Sequence, residues 1–242
     1  MKQIGRIIIS LNFWFELFFL SAIFFCFSVV LWMATILFDK RLFILHKYTC
    51  FWSNVVLLAN PMWRISITGR ENIDPKQTYV MVSNHQSGAD ILVIFSLYAH
   101  FKWVSKKSLF LFPFIGWNMA LNKYIPLDRA SGGSMSRMME EARRNLRQHN
   151  SLMIFPEGTR SKTGKLQPFK NGAFQLALET KTPVLPIAIT GTSRAIQKGG
   201  FLINRNFDIK ATVLEPIAVE DFEGMNSREL ASWVHELIES EL

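Results

Sequence analysis

The chain has two cysteines in 242 residues, Cys26 and Cys50, both in apolar surroundings and without C-x-x-C spacing. That excludes a disulfide framework or a cysteine zinc site, and a reducing, cytosol-facing setting is the simple expectation. Charge is scarce at one end: from Phe13 to Phe38 the 26 residues FWFELFFLSAIFFCFSVVLWMATILF carry one formal charge, Glu16. No Ala-x-Ala exit follows this run, which argues against a cleaved signal peptide. There is no G-x-S-x-G elbow, which speaks against a serine hydrolase. Repeats and low-complexity linkers are missing, which excludes solenoids and disordered arrays. Helix-turn-helix, zinc-finger and RNP-like patterns are missing too, so the net charge of +8 does not point to nucleic acid.

As one helix the Phe13–Phe38 run would be about 39 Å long, more than a membrane span requires. A weaker apolar stretch, Leu42 to Leu58, follows the polar break Asp39-Lys40-Arg41 and is interrupted by His46, Lys47 and Asn54. Basic residues flank the first run on both sides, Lys2 and Arg6 before it and Lys40, Arg41 and Lys47 after it. The positive-inside rule therefore assigns no orientation to a single span. A helical hairpin lying in one leaflet removes the conflict and is the expectation, with a true span as the alternative. Residues 1–60 are read as hydrophobic membrane-anchoring helices and residues 61–242 as one α/β domain, for which the length suffices.

Beyond Pro61 and Gly69, strands and helices alternate. Strands are expected at Tyr79–Val82, Phe101–Ser105, Lys123–Leu127, Ser151–Phe155, Val184–Ile189 and Ile209–Leu214. Helices are expected from the Asn84–Asp90 turn to about Tyr98, and at Ser134–His149, Pro168–Thr180 and Ser227–Leu242. The alternation predicts a central, mostly parallel sheet flanked by helices, with chemistry on the loops after strands.

Two of those loops carry reactive residues. In Asn84-His85-Gln86-Ser87-Gly88-Ala89-Asp90, His85 follows a strand and Asp90 opens a helix. A carboxylate in the first helical turn can reach back to the imidazole, set its tautomer and stabilise the imidazolium, leaving the other nitrogen as a general base. Ser87 lies too close to His85 for a covalent role. His85 is instead expected to take a proton directly from a bound alcohol that attacks a thioester. The second loop, Phe155-Pro156-Glu157-Gly158-Thr159-Arg160, follows the strand at Ser151. Gly158 permits close backbone approach, Thr159 adds a hydroxyl, and Arg160 can grip a phosphate bidentately. Glu157 either holds Arg160 or binds a hydroxyl. Arg129, after Tyr124-Ile-Pro-Leu-Asp128, and Lys106 are further candidate anion contacts. For each cluster the plain alternative is a solvated or salt-bridged surface. The basic groups Arg143, Arg144 and Arg147, and Lys162, Lys165 and Lys170, suit an anionic leaflet or an acidic carrier protein.

At these residues the chain resembles the glycerolipid acyltransferase family with its HxxxxD motif, and most of all the bacterial 1-acyl-sn-glycerol-3-phosphate (lysophosphatidic acid) acyltransferases. Four blocks occur in order: Asn84-His85-x4-Asp90, Asp128-Arg129, Phe155–Ser161, and Val184-Leu185-Pro186-Ile187. The Lys106–Pro113 segment also looks like the family's lysine-containing stretch. The resemblance covers about residues 65–215. It implies His85 as base with Asp90 as partner. It also implies Arg129, Glu157, Gly158, Thr159 and Arg160 as the glycerol-phosphate site, with Pro186 shaping the acyl side. The chain departs from the pattern at Gly88-Ala89 and at Pro126-Leu127, which bears on acyl and acceptor preference.

The resemblance implies transfer of an acyl group from acyl-carrier protein or acyl-CoA to lysophosphatidic acid. No metal or cofactor is expected, and the catalytic domain is expected on the cytoplasmic side of a bacterial inner membrane. Alternatives are an acceptor such as glycerol 3-phosphate or a lyso-ornithine lipid, a membrane lipid-binding protein without chemistry, or a hydrolase.

Overall fold

The computed structural model describes residues 2–128, 133–161, 164–196, 200–205 and 207–242. Helix α1 (Lys2–Thr35) is long and apolar enough to cross a membrane by length and composition. It begins earlier than expected because Ile4, Ile7, Ile8 and Leu11 extend the apolar run. A short turn leads to α2 (Phe43–Ala59), where the Asp39 carboxylate accepts the Phe43 and Ile44 N–H groups. The two helices fold back on each other, Phe24 packing against Tyr48 and Phe51. Only α2 is well covered: Leu45, Cys50 and Val56 are fully buried, whereas α1 leaves Ile8, Phe15, Phe19 and Phe27 exposed.

Among the described residues seven strands form one sheet: β1 (Trp63–Thr68), β2 (Val80–Ser83), β3 (Phe101–Lys106), β4 (Ile125–Leu127), β5 (Ser151–Ile154), β6 (Val184–Thr190) and β7 (Phe207–Val213), in the order β1-β7-β6-β2-β5-β3-β4. From β6 to β4 all neighbours are parallel. β7 runs antiparallel to β6, and β1 runs parallel to β7 with Trp63 opposite Phe207. The expected α/β architecture is thus present. β1 went unassigned in the sequence although Trp63, Ile65 and Ile67 alternate with Arg64, Ser66 and Thr68. It is an edge strand with one wet face, its outer side braced by an Arg64–Asp208 pair at 2.6 Å.

Helices α3 (Ala89–Phe95), α4 (Ile115–Leu121), α5 (Ser134–Arg147), α6 (Gly172–Thr180), the one-turn α7 (Thr192–Ala195) and α8 (Ser227–Glu239) follow among the described residues. Several ends have local causes. Tyr98 and Lys123 adopt positive φ, which breaks the helix before each of them. The expected helix from Pro168 starts only at Gly172, because the Lys170 N–H is given to the Pro156 carbonyl and ties that stretch to the Glu157 turn. Alternate residues of the central strands face two cores. Met81, Trp103, Met153 and Leu185 pack toward α1, α2 and α3. Val80, Val82, Leu152 and Val184 pack toward α5, α6 and α8.

Candidate active site

The site forms where β2 and β5, adjacent and parallel, end side by side. At the end of β2 the Asn84 amide clamps β6, donating to the Ile189 carbonyl and accepting the Ile189 N–H, each at 2.8 Å. The next residue, His85, is tied by its main chain to the second loop. Its N–H donates to Glu157 Oε1 at 2.5 Å, and its carbonyl accepts the Ser161 N–H at 2.9 Å. The imidazole is fixed twice over. Nδ1 lies 2.8 Å from Asp90 Oδ2, and the Phe155 ring stacks on it at 3.9 Å with planes 6° apart. Asp90 is fully buried in the first turn of α3, and the same Oδ2 accepts the Gln86 and Ser87 N–H groups at 2.7 and 2.8 Å. The carboxylate therefore reaches back as the sequence spacing requires. A donor at Nδ1 leaves Nε2 as the basic nitrogen.

Glu157 is 4% exposed, and its other oxygen accepts the Gln167 N–H at 3.1 Å. Burial raises its carboxyl from the usual range to about 7, opposed by the two backbone N–H donors. Both oxygens are engaged by main chain, so this side chain joins the two loops. Gly158 takes φ +74, a conformation that favours glycine, and the Lys170 ammonium sits 3.0 Å from where a Cβ on Gly158 would be. Lys170 is a cation of this turn that the sequence reading assigned only to the general basic surface.

A cavity of about 1010 Å³ opens beside these loops. His85, Lys106, Gly158, Thr159 and Arg160 all line it, as does Asp128, while Asp90 and Glu157 lie buried behind. Arg129 and Lys162 lie outside the described residues. The remaining wall is largely apolar and comes in part from the N-terminal helix: Trp14, Ser21, Phe24, Phe25 and Ser28 present one face of α1 to it. From Trp14 to Ser28 that face runs about 21 Å at 1.5 Å per residue. Its signal in the sequence is the pair of small polar residues, Ser21 and Ser28, seven apart in an otherwise apolar run. Asn118 and Met119 of α4 and Trp103 of β3 close other sides. The site thus pairs a His–Asp dyad, its carboxylate buried and its imidazole facing the cavity, with a cationic, glycine-containing turn and a largely apolar slot.

Comparison with known proteins identifies the family. The acyltransferase family model matches residues 64–190, just over half of the chain. A chloroplastic 1-acyl-sn-glycerol-3-phosphate acyltransferase of Brassica napus is 35% identical over 184 residues, covering 75% of this chain and 53% of that protein. Its counterpart in Arabidopsis thaliana is 36% identical over 173 residues, covering 71% and 48%. The chain spans about half the length of these curated relatives. The crystal structure of PlsC, the 1-acyl-sn-glycerophosphate (LPA) acyltransferase of Thermotoga maritima, superimposes with a TM-score of 0.81 at 25% identity, covering 100% of this chain and 96% of that one.

Proposed function

The chain belongs to the acyltransferase family, and from that premise we propose that it transfers a fatty acyl group from a thioester, acyl-carrier protein or coenzyme A, to the sn-2 hydroxyl of 1-acyl-sn-glycerol 3-phosphate, yielding phosphatidic acid. One observation carries the reading. The His85–Asp90 dyad, the Arg160 turn and a long apolar wall all meet in a single cavity. An acceptor with a phosphate, a free hydroxyl and an acyl chain needs those three features together.

In this scheme Lys106, Arg129, Thr159 and Arg160 hold the phosphate, with Lys170 beside them, and Gly158 lets the ligand approach the turn. His85 Nε2 takes the proton from the acceptor hydroxyl as its oxygen attacks the thioester carbonyl. Asp90 stabilises the imidazolium so formed. The tetrahedral intermediate collapses, the carbon–sulfur bond breaks, and the departing thiolate receives the proton from His85. Glu157 acts through position, since its hydrogen bond to the His85 N–H sets the distance between base and phosphate turn. The scheme calls on no metal or bound cofactor.

We place residues 1–60 on the membrane as a monotopic hairpin and residues 61–242 on the cytoplasmic side of a bacterial inner membrane. The exposed apolar face of α1 and the basic residues at both of its ends support that placement. The deciding experiment is acyl transfer to lysophosphatidic acid in detergent micelles with each thioester donor. Wild type is expected to form phosphatidic acid, and His85→Ala to lose roughly 10²–10⁴-fold in rate while still binding lipid. Undiminished product from the variant would overturn the role of His85. A folded wild type with no product from either donor would overturn the choice of acceptor.

A further inference from the structure

Phe155 stands between β5 and the Glu157 turn, and its neighbours on both sides constrain it. Pro156 biases the residue before it toward extended backbone, so the alternation of β5 continues one step past Ile154. Leu152 and Ile154 pack toward α5, α6 and α8, whereas Met153 and Phe155 turn to the side of α1, α2 and α3. The His85 imidazole lies on that side, and the two rings stack with centroids 3.9 Å apart and planes 6° apart. Phe155 in turn rests on Trp103 of β3 at 5.3 Å. That indole is 4% exposed and wedged against Phe101 at 5.2 Å and Phe95 at 5.8 Å. A column of core aromatics thus holds Phe155 in its place against the base.

One hydrogen bond does not orient this imidazole. The contact with Asp90 fixes Nδ1, but the terminal torsion of histidine is broad and a carboxylate oxygen accepts over a wide range of directions. The same Oδ2 also takes the Gln86 and Ser87 N–H groups, so the backbone holds the carboxylate more firmly than the carboxylate holds the ring. A stacked ring supplies what is missing, a plane. The imidazole, 16% exposed, then keeps its free nitrogen within that plane at the cavity wall. Charge adds a second effect. The imidazolium forms only as the acceptor hydroxyl gives up its proton, and a cation against an aromatic face is attracted by the ring quadrupole. A contact that strengthens only in the transition state lowers the barrier without tightening the binding of substrate.

We propose that Phe155 is a positioning residue for the base: its ring fixes the imidazole plane so that Nε2 meets the acceptor hydroxyl, and its face stabilises the imidazolium until the proton passes to the departing thiolate. This rests on the acyltransferase reading given above. Phe155 and Glu157 divide the work between side chain and main chain. The Glu157 carboxylate sets where the His85 backbone lies, and the Phe155 ring sets how its side chain is turned. Both belong to the loop that also carries Gly158, Thr159 and Arg160. The base and the turn that takes the phosphate therefore share one support, which keeps a fixed spacing between the hydroxyl that reacts and the phosphate that anchors it.

The test uses the full chain in detergent micelles with lysophosphatidic acid as acceptor. Phe155→Leu keeps apolar bulk but has no flat face, and is expected to lower kcat roughly 10–100-fold while the acceptor KM stays within about twofold. Phe155→Met replaces it should the leucine variant fail to fold. Phe155→Tyr keeps the ring and is expected to hold kcat within about threefold of wild type. A wild-type kcat in Phe155→Leu would overturn the proposal, as would equal losses in the leucine and tyrosine variants. A rise in acceptor KM that accounts for the whole loss would also overturn it, since Phe155 would then support the phosphate turn alone. A second readout needs no turnover. The Hε1 resonance of His85, identified among the five histidines by its absence from His85→Ala, is expected further upfield in wild type and Phe155→Tyr than in Phe155→Leu, because a stacked ring shields it. Coincident resonances in wild type and Phe155→Leu would overturn the stack itself. A wild type inert with both thioester donors would sink the functional reading, while the Hε1 shift still decides whether Phe155 orients His85.

Discussion

The two faces of the central sheet are built to different ends. On one, α5, α6 and α8 close over Val80, Leu152 and Val184 without exposing them, and Phe174 of α6 is fully buried in the same apolar layer. On the other, α1, α2 and α3 also supply a core, but between α1, α4 and β3 they leave the slot of about 1010 Å³ that reaches His85. The same sheet is thus closed over on one side and borders an open slot on the other.

Two substitutions separate the faces most sharply. His85→Ala should leave the melting temperature nearly unchanged while the rate falls by the orders of magnitude given above. Phe174→Ala, on the closed face, should do the reverse. It is fully buried, so removing its ring should cost about 3–5 kcal/mol of stability, read by denaturant unfolding, with the activity of the folded fraction retained. If Phe174→Ala abolished the activity of folded protein, the separation of the faces would be broken.

A smaller effect sits at the junction, in the pH dependence of stability. The folded protein holds the Glu157 proton up to about pH 7, whereas the unfolded chain releases it near the ordinary 4.5. Between those values the folded state binds more protons. Stability therefore falls as pH rises, by on the order of 2 kcal/mol in all, and the slope vanishes above the upper value. Thermal melts from pH 4 to 8 should show this decline in wild type and lose it in Glu157→Gln. A parallel decline in both would mean that other groups carry it. Smallest of all, Gly158→Ala forces a side chain into φ +74 and against Lys170, and should destabilise by about 1 kcal/mol while weakening phosphate binding, read as a raised acceptor KM.

Much of the site was legible in the residues themselves. The His85–Asp90 pairing followed from placing one residue in a turn and the other in the first turn of a helix, because that geometry is local. The helix of α5 and the strands β3, β5 and β6 were legible for the same reason: their periodicity lies within a few residues. Glu157 was not. Its residue type spoke of a ligand to arginine or hydroxyl, and only the adjacency of β2 and β5 shows its carboxylate accepting the His85 N–H. The part of α1 in the cavity wall was only faintly marked, by Ser21 and Ser28 on one face, because a run this apolar reads as an anchor whichever face turns inward.

The sequence by itself determined the alternation of strands and helices, the dyad, the glycine-containing turn and the apolar N-terminal run. Each depends on contacts between near neighbours, whose energetics residue type and spacing dictate. Tertiary structure alone decided the strand order, the joining of the two loops through Glu157, and the enclosure of a cavity by α1 and α4. Those rest on pairings between residues far apart in the chain, where many partners are chemically equivalent and only the packing of the whole selects one.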